Sequence, residues 1–295
     1  MDHCPGLYCG RSLLESGNWT ECGACSRGYR TNSTFCVPCD DHPEFYDWLY
    51  LTFMVLVALV LHWFSIDFIA TKRKLGLTKE VFLIHVSAFI EVAIAAAATV
   101  LIVQPTGSFH IRSCKTEHLS DWYTLFHNPT PNYEETLYCT HEAVYPLYTM
   151  VFIFYAIATV MMIIFRPKKC AHGKMSVYAA LYFYPILAFF QAIFGGVIYY
   201  TFPYIVIVTS LISSATHLAQ KKDQSMVNLV KDTVTNVRNL VVLIGHWLFH
   251  AYGIIAITEL KETKFHWSVL ALVPLPTAFY ILTAKFSDPS KLHIE

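Results

Sequence analysis

Two histidines four residues apart and one acidic residue in a separate apolar run are suited to bind a metal ion. His246 and His250 occur in the segment His246-Trp-Leu-Phe-His250, and Glu91 lies near the middle of another apolar stretch. Residues at i and i+4 share a helix face, and imidazole and carboxylate groups are zinc ligands. An intramembrane zinc-dependent hydrolase using His246, His250 and Glu91 is therefore one hypothesis. The competing and favoured interpretation is that interhelical hydrogen bonds satisfy these side chains.

The cysteines offer a second kind of chemistry. Two Cys-x-x-Cys pairs near the N-terminus have the spacing of a zinc knuckle in a cytosolic protein, whereas in an oxidising compartment such cysteines form disulfides. We predict disulfides, including one between Cys114 and Cys139, and keep structural zinc as the alternative. The even set expected to pair is Cys4, Cys9, Cys22, Cys25, Cys36, Cys39, Cys114 and Cys139.

The elements that position these residues are apolar helices. Hydrophobic residues make up 55% of the chain and charged residues only 14%, against about 25% charged in a soluble domain. The formal net charge of zero gives no argument for nucleic-acid binding. The sequence therefore predicts an all-α membrane protein, a seven-helix transmembrane bundle preceded by a small cysteine-rich N-terminal luminal module.

A membrane-crossing helix needs roughly 20 apolar residues. The predicted spans fall at about 49–70, 82–103, 144–165, 177–198, 202–219, 239–258 and 267–286. Between the fourth and fifth spans we expect a break near Gly195, Gly196 and Pro203, because glycine and proline punctuate apolar runs. Six spans with a re-entrant segment is the rival count.

The distribution of basic residues predicts the orientation. If the N-terminus is luminal, seven of the 21 Lys and Arg residues are luminal and the other fourteen are cytosolic, which agrees with the positive-inside rule. Residues 1–48 then form a luminal tail, 49–286 the bundle and 287–295 a cytosolic tail. Asn18 and Asn32 stand in Asn-x-Ser/Thr sequons on the luminal side and are predicted glycosylation sites.

The predicted cytosolic segments are short, and a soluble catalytic domain needs about 50–250 residues in one unit. No phosphate-binding loop, nucleophile elbow or kinase signature is present. We therefore expect no enzyme activity and no cofactor. Cys170 follows the third span and is a palmitoylation candidate, with a plain free thiol as the alternative.

One cytosolic segment resembles a docking peptide for mitogen-activated kinases. The basic residues Lys221 and Lys222 are followed by Val227 and Leu229, an apolar-x-apolar pattern that fills two pockets when the segment is extended. A tighter version occupies residues 72–77. Positive-inside charges beside apolar residues also create such patterns by chance.

Three cysteine-rich segments and one intramembrane motif carry a family resemblance. The segments are His3-Cys-Pro-Gly-Leu-Tyr-Cys-Gly-Arg11, Cys22-Gly-Ala-Cys25-Ser-Arg-Gly-Tyr29 and Cys36-Val-Pro-Cys39-Asp-Asp-His-Pro-Glu-Phe45, followed by Phe89-Ile-Glu91. Together they resemble the c-Jun N-terminal kinase-associated membrane proteins, and the likeness extends over the whole chain.

The resemblance implies a multi-pass, seven-span protein of the endoplasmic reticulum membrane. It implies binding of a stress-activated kinase and an effect on how long that kinase stays active. It also implies a role in endoplasmic-reticulum-associated degradation, by gathering proteasome subunits and a membrane RING-type ubiquitin ligase to degrade misfolded proteins of that compartment, and a part in the unfolded protein response. No catalytic residue comes with the resemblance.

Overall fold

A computed structural model describes residues 3–4, 6–72, 78–127, 139–166, 171–221 and 223–286. In these ranges the chain forms a small module of short strands and a set of long apolar helices. The strands are β1 (Cys9–Gly10), β2 (Gly23–Ala24), β3 (Tyr29–Asn32) and β4 (Phe35–Pro38). The α-helices are α1 (Phe45–Lys72), α2 (Lys79–Ile102), α3 (Leu147–Phe165), α4 (Ala171–Ala219), α5 (Met226–Thr235), α6 (Val237–Thr258), α7 (Thr263–Leu270) and α8 (Leu275–Thr283).

The N-terminal module consists of two antiparallel strand pairs, β1 with β2 and β3 with β4. Pairs this short bury too little apolar surface to be stable in water, and four disulfides supply the missing constraint. The bonds are Cys4–Cys22, Cys9–Cys139, Cys25–Cys36 and Cys39–Cys114. Two of them join the tail to the long segment between α2 and α3, so the module is built from both parts of the sequence.

The predicted bond between Cys114 and Cys139 is wrong. Cys114 is bonded to Cys39, and Cys139 is bonded to Cys9. Membership of one polar loop suggested a local pair, but the folded tail brings its own cysteines to each of them. All four cysteines of the Cys-x-x-Cys pairs are oxidised, so their thiolates are not free to bind structural zinc.

Two compact units divide the chain, residues 1–199 and residues 200–295. In the first unit, α1 and α2 pack through small and branched side chains. Ala70 and Ile66 of α1 meet Val81, Ile84 and Ala88 of α2 in one buried cluster. The outward faces of these helices carry exposed residues such as Phe64, Phe68 and Phe89. Exposed apolar side chains in such numbers are expected where lipid, not water, is the solvent.

Helix α4 runs without interruption over 49 residues, from Ala171 to Ala219. The predicted break near Gly195, Gly196 and Pro203 is therefore wrong, and the fourth and fifth predicted spans lie in one helix. Gly196 allows the Trp122 side chain to pack closely against α4, because a Cβ atom at position 196 would lie only 2.7 Å from Cβ of Trp122. In apolar surroundings no water replaces a lost backbone hydrogen bond, so the chain keeps its helical bonds through glycine and proline. Neighbouring polar groups satisfy the carbonyl that proline leaves free.

In the second unit, a short helix precedes two apolar segments. α5 ends at Thr235 and α6 begins at Val237. The last predicted span, 267–286, corresponds to α7, four residues of turn, α8 and the 3₁₀ turn Ala284–Phe286. Six helical segments in the described ranges are long and apolar enough to cross a membrane, the last of them, Lys264–Thr283, being made of α7, the turn and α8. The chain is thus a mainly helical membrane protein with a small disulfide-rich strand module, as predicted.

Candidate functional site

Glu91, the acidic residue that sequence analysis placed in mid-span, is paired with Arg166. Nη2 of Arg166 donates to Oε2 of Glu91 at 2.6 Å, and Nε lies 3.1 and 3.2 Å from the two carboxylate oxygens. Both side chains are completely buried. The two parallel contacts match the planar geometry of guanidinium and carboxylate, so the carboxylate charge is neutralised within the bundle.

Further polar groups complete this Glu91–Arg166 network. Ser87 donates to Glu91 at 2.5 Å, and Nη1 of Arg166 donates to Ser176 at 3.2 Å. His62 Nδ1 lies 3.4 Å from both terminal guanidinium nitrogens, and its Nε2 lies 3.0 Å from the Tyr184 hydroxyl. A guanidinium group only donates, so Nδ1 of the neutral His62 ring is the acceptor. Nε2 then carries the proton and donates it to the Tyr184 hydroxyl.

The hydrogen bonds of this network connect four helices. His62 belongs to α1, Ser87 and Glu91 to α2, Arg166 caps the C-terminus of α3, and Ser176 and Tyr184 belong to α4. Each group with a charge has a partner, which is the condition under which buried charges are tolerated. The arrangement fixes helix positions and presents no activated nucleophile.

Sequence reasoning missed Arg166 as the partner of Glu91. Arg166 directly follows the third predicted span, 144–165, and an arginine after an apolar run is typical of a cytosolic boundary. The structure places its side chain inside the bundle instead. The only signal that points to it is the requirement that a mid-span carboxylate have a cation within reach.

The proposed zinc ligands belong to different units, Glu91 to the first and His246 and His250 to the second. Glu91 is committed to Arg166, while His246 and His250 line a cavity within the second unit. Among the described residues, no group of three His, Cys, Asp or Glu side chains is arranged to hold a metal ion. Its pairing with Arg166 leaves Glu91 unavailable as the third ligand that the hydrolase hypothesis requires.

The apolar part of the predicted kinase-docking segment, with Val227 and Leu229, lies in the helix α5. Ser225 caps α5 by accepting from the backbone N–H of Asn228, and Lys221 forms a 3.0 Å ion pair with Asp232. Val227 is 71% exposed, whereas Leu229 is 1% exposed. The two apolar positions therefore do not point the same way, as expected when an alternating pattern is wound into a helix.

Several predicted positions fall outside the described residues: Lys222, the tighter basic-apolar pattern at 73–77, Cys170 and the tail 287–295. Lys72, the first residue of that pattern, ends α1. Both sequon asparagines, Asn18 and Asn32, have exposed side chains in the N-terminal module.

Charged residues also join the tail to the segment between α2 and α3. Arg30 lies 3.5 Å from Asp121, and the Tyr8 hydroxyl donates to Asp121 at 3.0 Å. Burial raises the pKa of Tyr8 to about 12, so the phenol keeps the proton that it donates. Burial, followed by the charge of Arg30, lowers the pKa of His141 beneath its usual value.

Comparison with known proteins gives consistent matches along the chain. Residues 4–289 match the family described as JNK1/MAPK8-associated membrane protein. Curated proteins of that name from Homo sapiens and Mus musculus are each 46% identical over 98% of this chain and 95% of their own length. A JNK1/MAPK8-associated membrane protein homolog from Caenorhabditis elegans is 34% identical over 97% of the chain.

No solved structure matches this chain significantly. The family match and these relatives cover the module, the Glu91–Arg166 network and the second unit alike. The chain therefore belongs to the JNK1/MAPK8-associated membrane protein family.

Proposed function

We propose that the chain is a non-enzymatic adaptor of the endoplasmic reticulum membrane. It tethers a stress-activated (c-Jun N-terminal) kinase and modulates the duration of that kinase's activity. It also recruits proteasome subunits and a membrane RING-type ubiquitin ligase for the degradation of misfolded proteins. The observation that carries the proposal is the 46% identity, over nearly the full length, to relatives whose name records association with this kinase.

The orientation in this proposal has the N-terminal module in the lumen and the segment between α4 and α6 in the cytosol. Three features support it: four disulfides in the module, two exposed sequon asparagines, and the excess of basic residues on the opposite side. Asn18→Gln and Asn32→Gln test it by their effect on glycosidase-sensitive mobility. Unchanged mobility, together with protease trimming of the tail in sealed microsomes, rejects it.

For the docking segment, two modes of kinase binding are distinguishable. An extended peptide would use both Val227 and Leu229, which requires α5 to unfold because Leu229 is buried. A helical mode would use the exposed side chains Val227, Val230 and Val234. In both modes Val227 faces the partner, so Val227 is the residue to change first.

Co-precipitation of purified kinase with the full-length chain in mild detergent provides the test. Val227→Ala is expected to reduce kinase recovery, and Val230→Ala serves to distinguish the helical mode from the extended one. Lys231→Pro breaks the interior of α5, so it raises recovery if the peptide binds extended and lowers it if the helix binds. Equal recovery from all variants removes this segment as the docking site.

A further inference from the structure

A cavity of about 280 Å³ lies within the second unit, between α4, α6 and α8. Its walls combine apolar side chains with a few polar groups: Leu211, Val273 and Pro276 with Ser214, His246 and His250. Phe279 also lines the cavity and is 66% exposed, so the cavity opens at the outer surface of α8. Concave, mostly apolar sites with a few convergent polar groups are the usual form of small-molecule sites.

Some of the polar groups in this cavity already have partners. Nε1 of Trp247 donates to the Thr277 hydroxyl at 2.9 Å, and the hydroxyl groups of Ser214 and Thr277 lie 3.4 Å apart. Ser210 donates to the Ile207 carbonyl at 2.8 Å. These bonds fix α4, α6 and α8 around the opening without using the histidines.

Within the part of the chain that the structure describes, the imidazoles of His246 and His250 lack such partners. Neither His246 nor His250 makes a hydrogen bond to any other residue in the described ranges; the contact of His246 is with the His217 ring, 6.5 Å between centroids. Each neutral imidazole has one N–H donor and one accepting nitrogen. One face of α6 therefore carries two imidazoles that line the cavity and have donor and acceptor capacity left to use.

Position along the helix limits the chemistry of the occupant. His246 and His250 are the eighth and twelfth residues of the 20-residue apolar stretch Asn239–Thr258, far from either end. A charged headgroup at that depth would be costly. An uncharged hydroxyl or ester carbonyl satisfies the imidazoles without introducing a charge, and an attached hydrocarbon packs on Leu211, Val273 and Phe279.

We propose that this cavity binds the hydroxyl- or carbonyl-bearing end of an uncharged membrane lipid, with His246 and His250 as the recognising residues. Its volume is just below the range of about 300–1,000 Å³ for drug-sized ligands. The cavity therefore takes the polar end and the adjoining carbons, and the remaining hydrocarbon extends past Phe279 into the bilayer. Sterols and diacylglycerols both offer this chemistry.

The proposal is tested by photolabelling of the full-length chain in lipid nanodiscs. The probes are photoactivatable, clickable analogues of diacylglycerol, cholesterol and phosphatidylcholine. We expect labelling near α6 and α8 by one of the two uncharged probes, and which one responds identifies the source. Phosphatidylcholine, whose headgroup is charged, should label this region no more than the remaining helices.

Two independent variants distinguish recognition from loss of folding. His246→Phe/His250→Phe keeps the rings but removes every nitrogen, and Ala215→Phe fills the cavity while leaving both histidines in place. The double histidine variant loses the hydrogen bonds of both imidazoles, each worth about fivefold in affinity, so it should reduce labelling by at least that factor. Ala215→Phe removes the space for the lipid and should reduce labelling to the level of the remaining helices. Thr99→Val, in an apolar cavity of the first unit, is the control and should label like the unchanged protein.

Three outcomes would overturn the proposal. One is equal labelling of the double histidine variant and the unchanged protein, with both monodisperse in gel filtration. Another is labelling by the phosphatidylcholine probe as strong as that by the uncharged probes, which would mean that any acyl chain enters. The last is a stoichiometric transition metal, measured by mass spectrometry, that the double histidine variant loses.

Discussion

The guanidinium group of Arg166 and the carboxylate of Glu91 face each other through paired nitrogen–oxygen contacts, the shortest of 2.6 Å, with neither side chain exposed. A pair with this geometry stabilises the bundle only while both members are present. Loss of one leaves an uncompensated charge among apolar helices, whereas loss of both leaves a neutral core.

Arg166→Met is therefore expected to destabilise the protein by about 3–5 kcal/mol. The double variant Arg166→Met/Glu91→Leu should recover most of that loss, because no unpaired charge remains. Thermal unfolding in detergent, followed by fluorescence-detected size exclusion, compares them. A double variant less stable than Arg166→Met would show that the pair contributes net stability beyond mutual neutralisation.

Gly196→Ala is expected to destabilise the protein by about 1–3 kcal/mol, because the added methyl group meets the Trp122 side chain. Gly245→Ala is the matched control: a Cβ atom there meets nothing within 4 Å. That control should leave stability unchanged or raise it slightly, since alanine has a higher helix propensity than glycine. Equal melting temperatures for the two variants would contradict the close packing of Trp122 on α4.

Non-reducing peptide mapping should recover Cys9 linked to Cys139 and Cys39 linked to Cys114. Cys114→Ser should leave Cys39 open to alkylation and lower stability by about 2–5 kcal/mol. Cys39→Ser should have the same effect, and the double variant should be no worse than either. Recovery of a peptide that links Cys114 to Cys139 would contradict this connectivity.

His141 should make the stability of the N-terminal module depend on pH. Its folded pKa lies below the usual value of 6.5, so the unfolded chain binds more protons and stability falls as the pH drops below that value. His141→Gln should weaken this dependence between pH 7 and pH 5. The check is thermal unfolding across that range, and an unchanged slope in His141→Gln would assign the effect to other groups.

The helices were predictable from apolar runs because hydrocarbon thickness sets their length. α1, α2, α3 and α6 lie within three residues of the predicted boundaries at each end, apart from the four residues by which α1 starts early. The break expected within α4 was wrong because glycine and proline punctuate apolar runs in water, whereas in an apolar environment the chain keeps its helical hydrogen bonds through them.

The sites were less predictable than the helices. That Glu91 needs a partner follows from its position alone, but Arg166 has the same sequence context as an ordinary cytosolic arginine. Disulfide connectivity is similarly hidden, because eight cysteines allow 105 pairings. The sequence pattern did not predict that Leu229 is buried while Val227 is exposed. That difference depends on the segment being a helix, which Ser225 caps.

Cys9 and Cys39 have partners 130 and 75 residues further along the chain. During synthesis, Cys9 and Cys39 therefore cannot form their native disulfides until α2 and the segment that follows it have left the ribosome. A product that stops before residue 114 lacks the native disulfide partners of both Cys9 and Cys39. Complete native oxidation of the module therefore requires that α1, α2 and the segment up to Cys139 have been made.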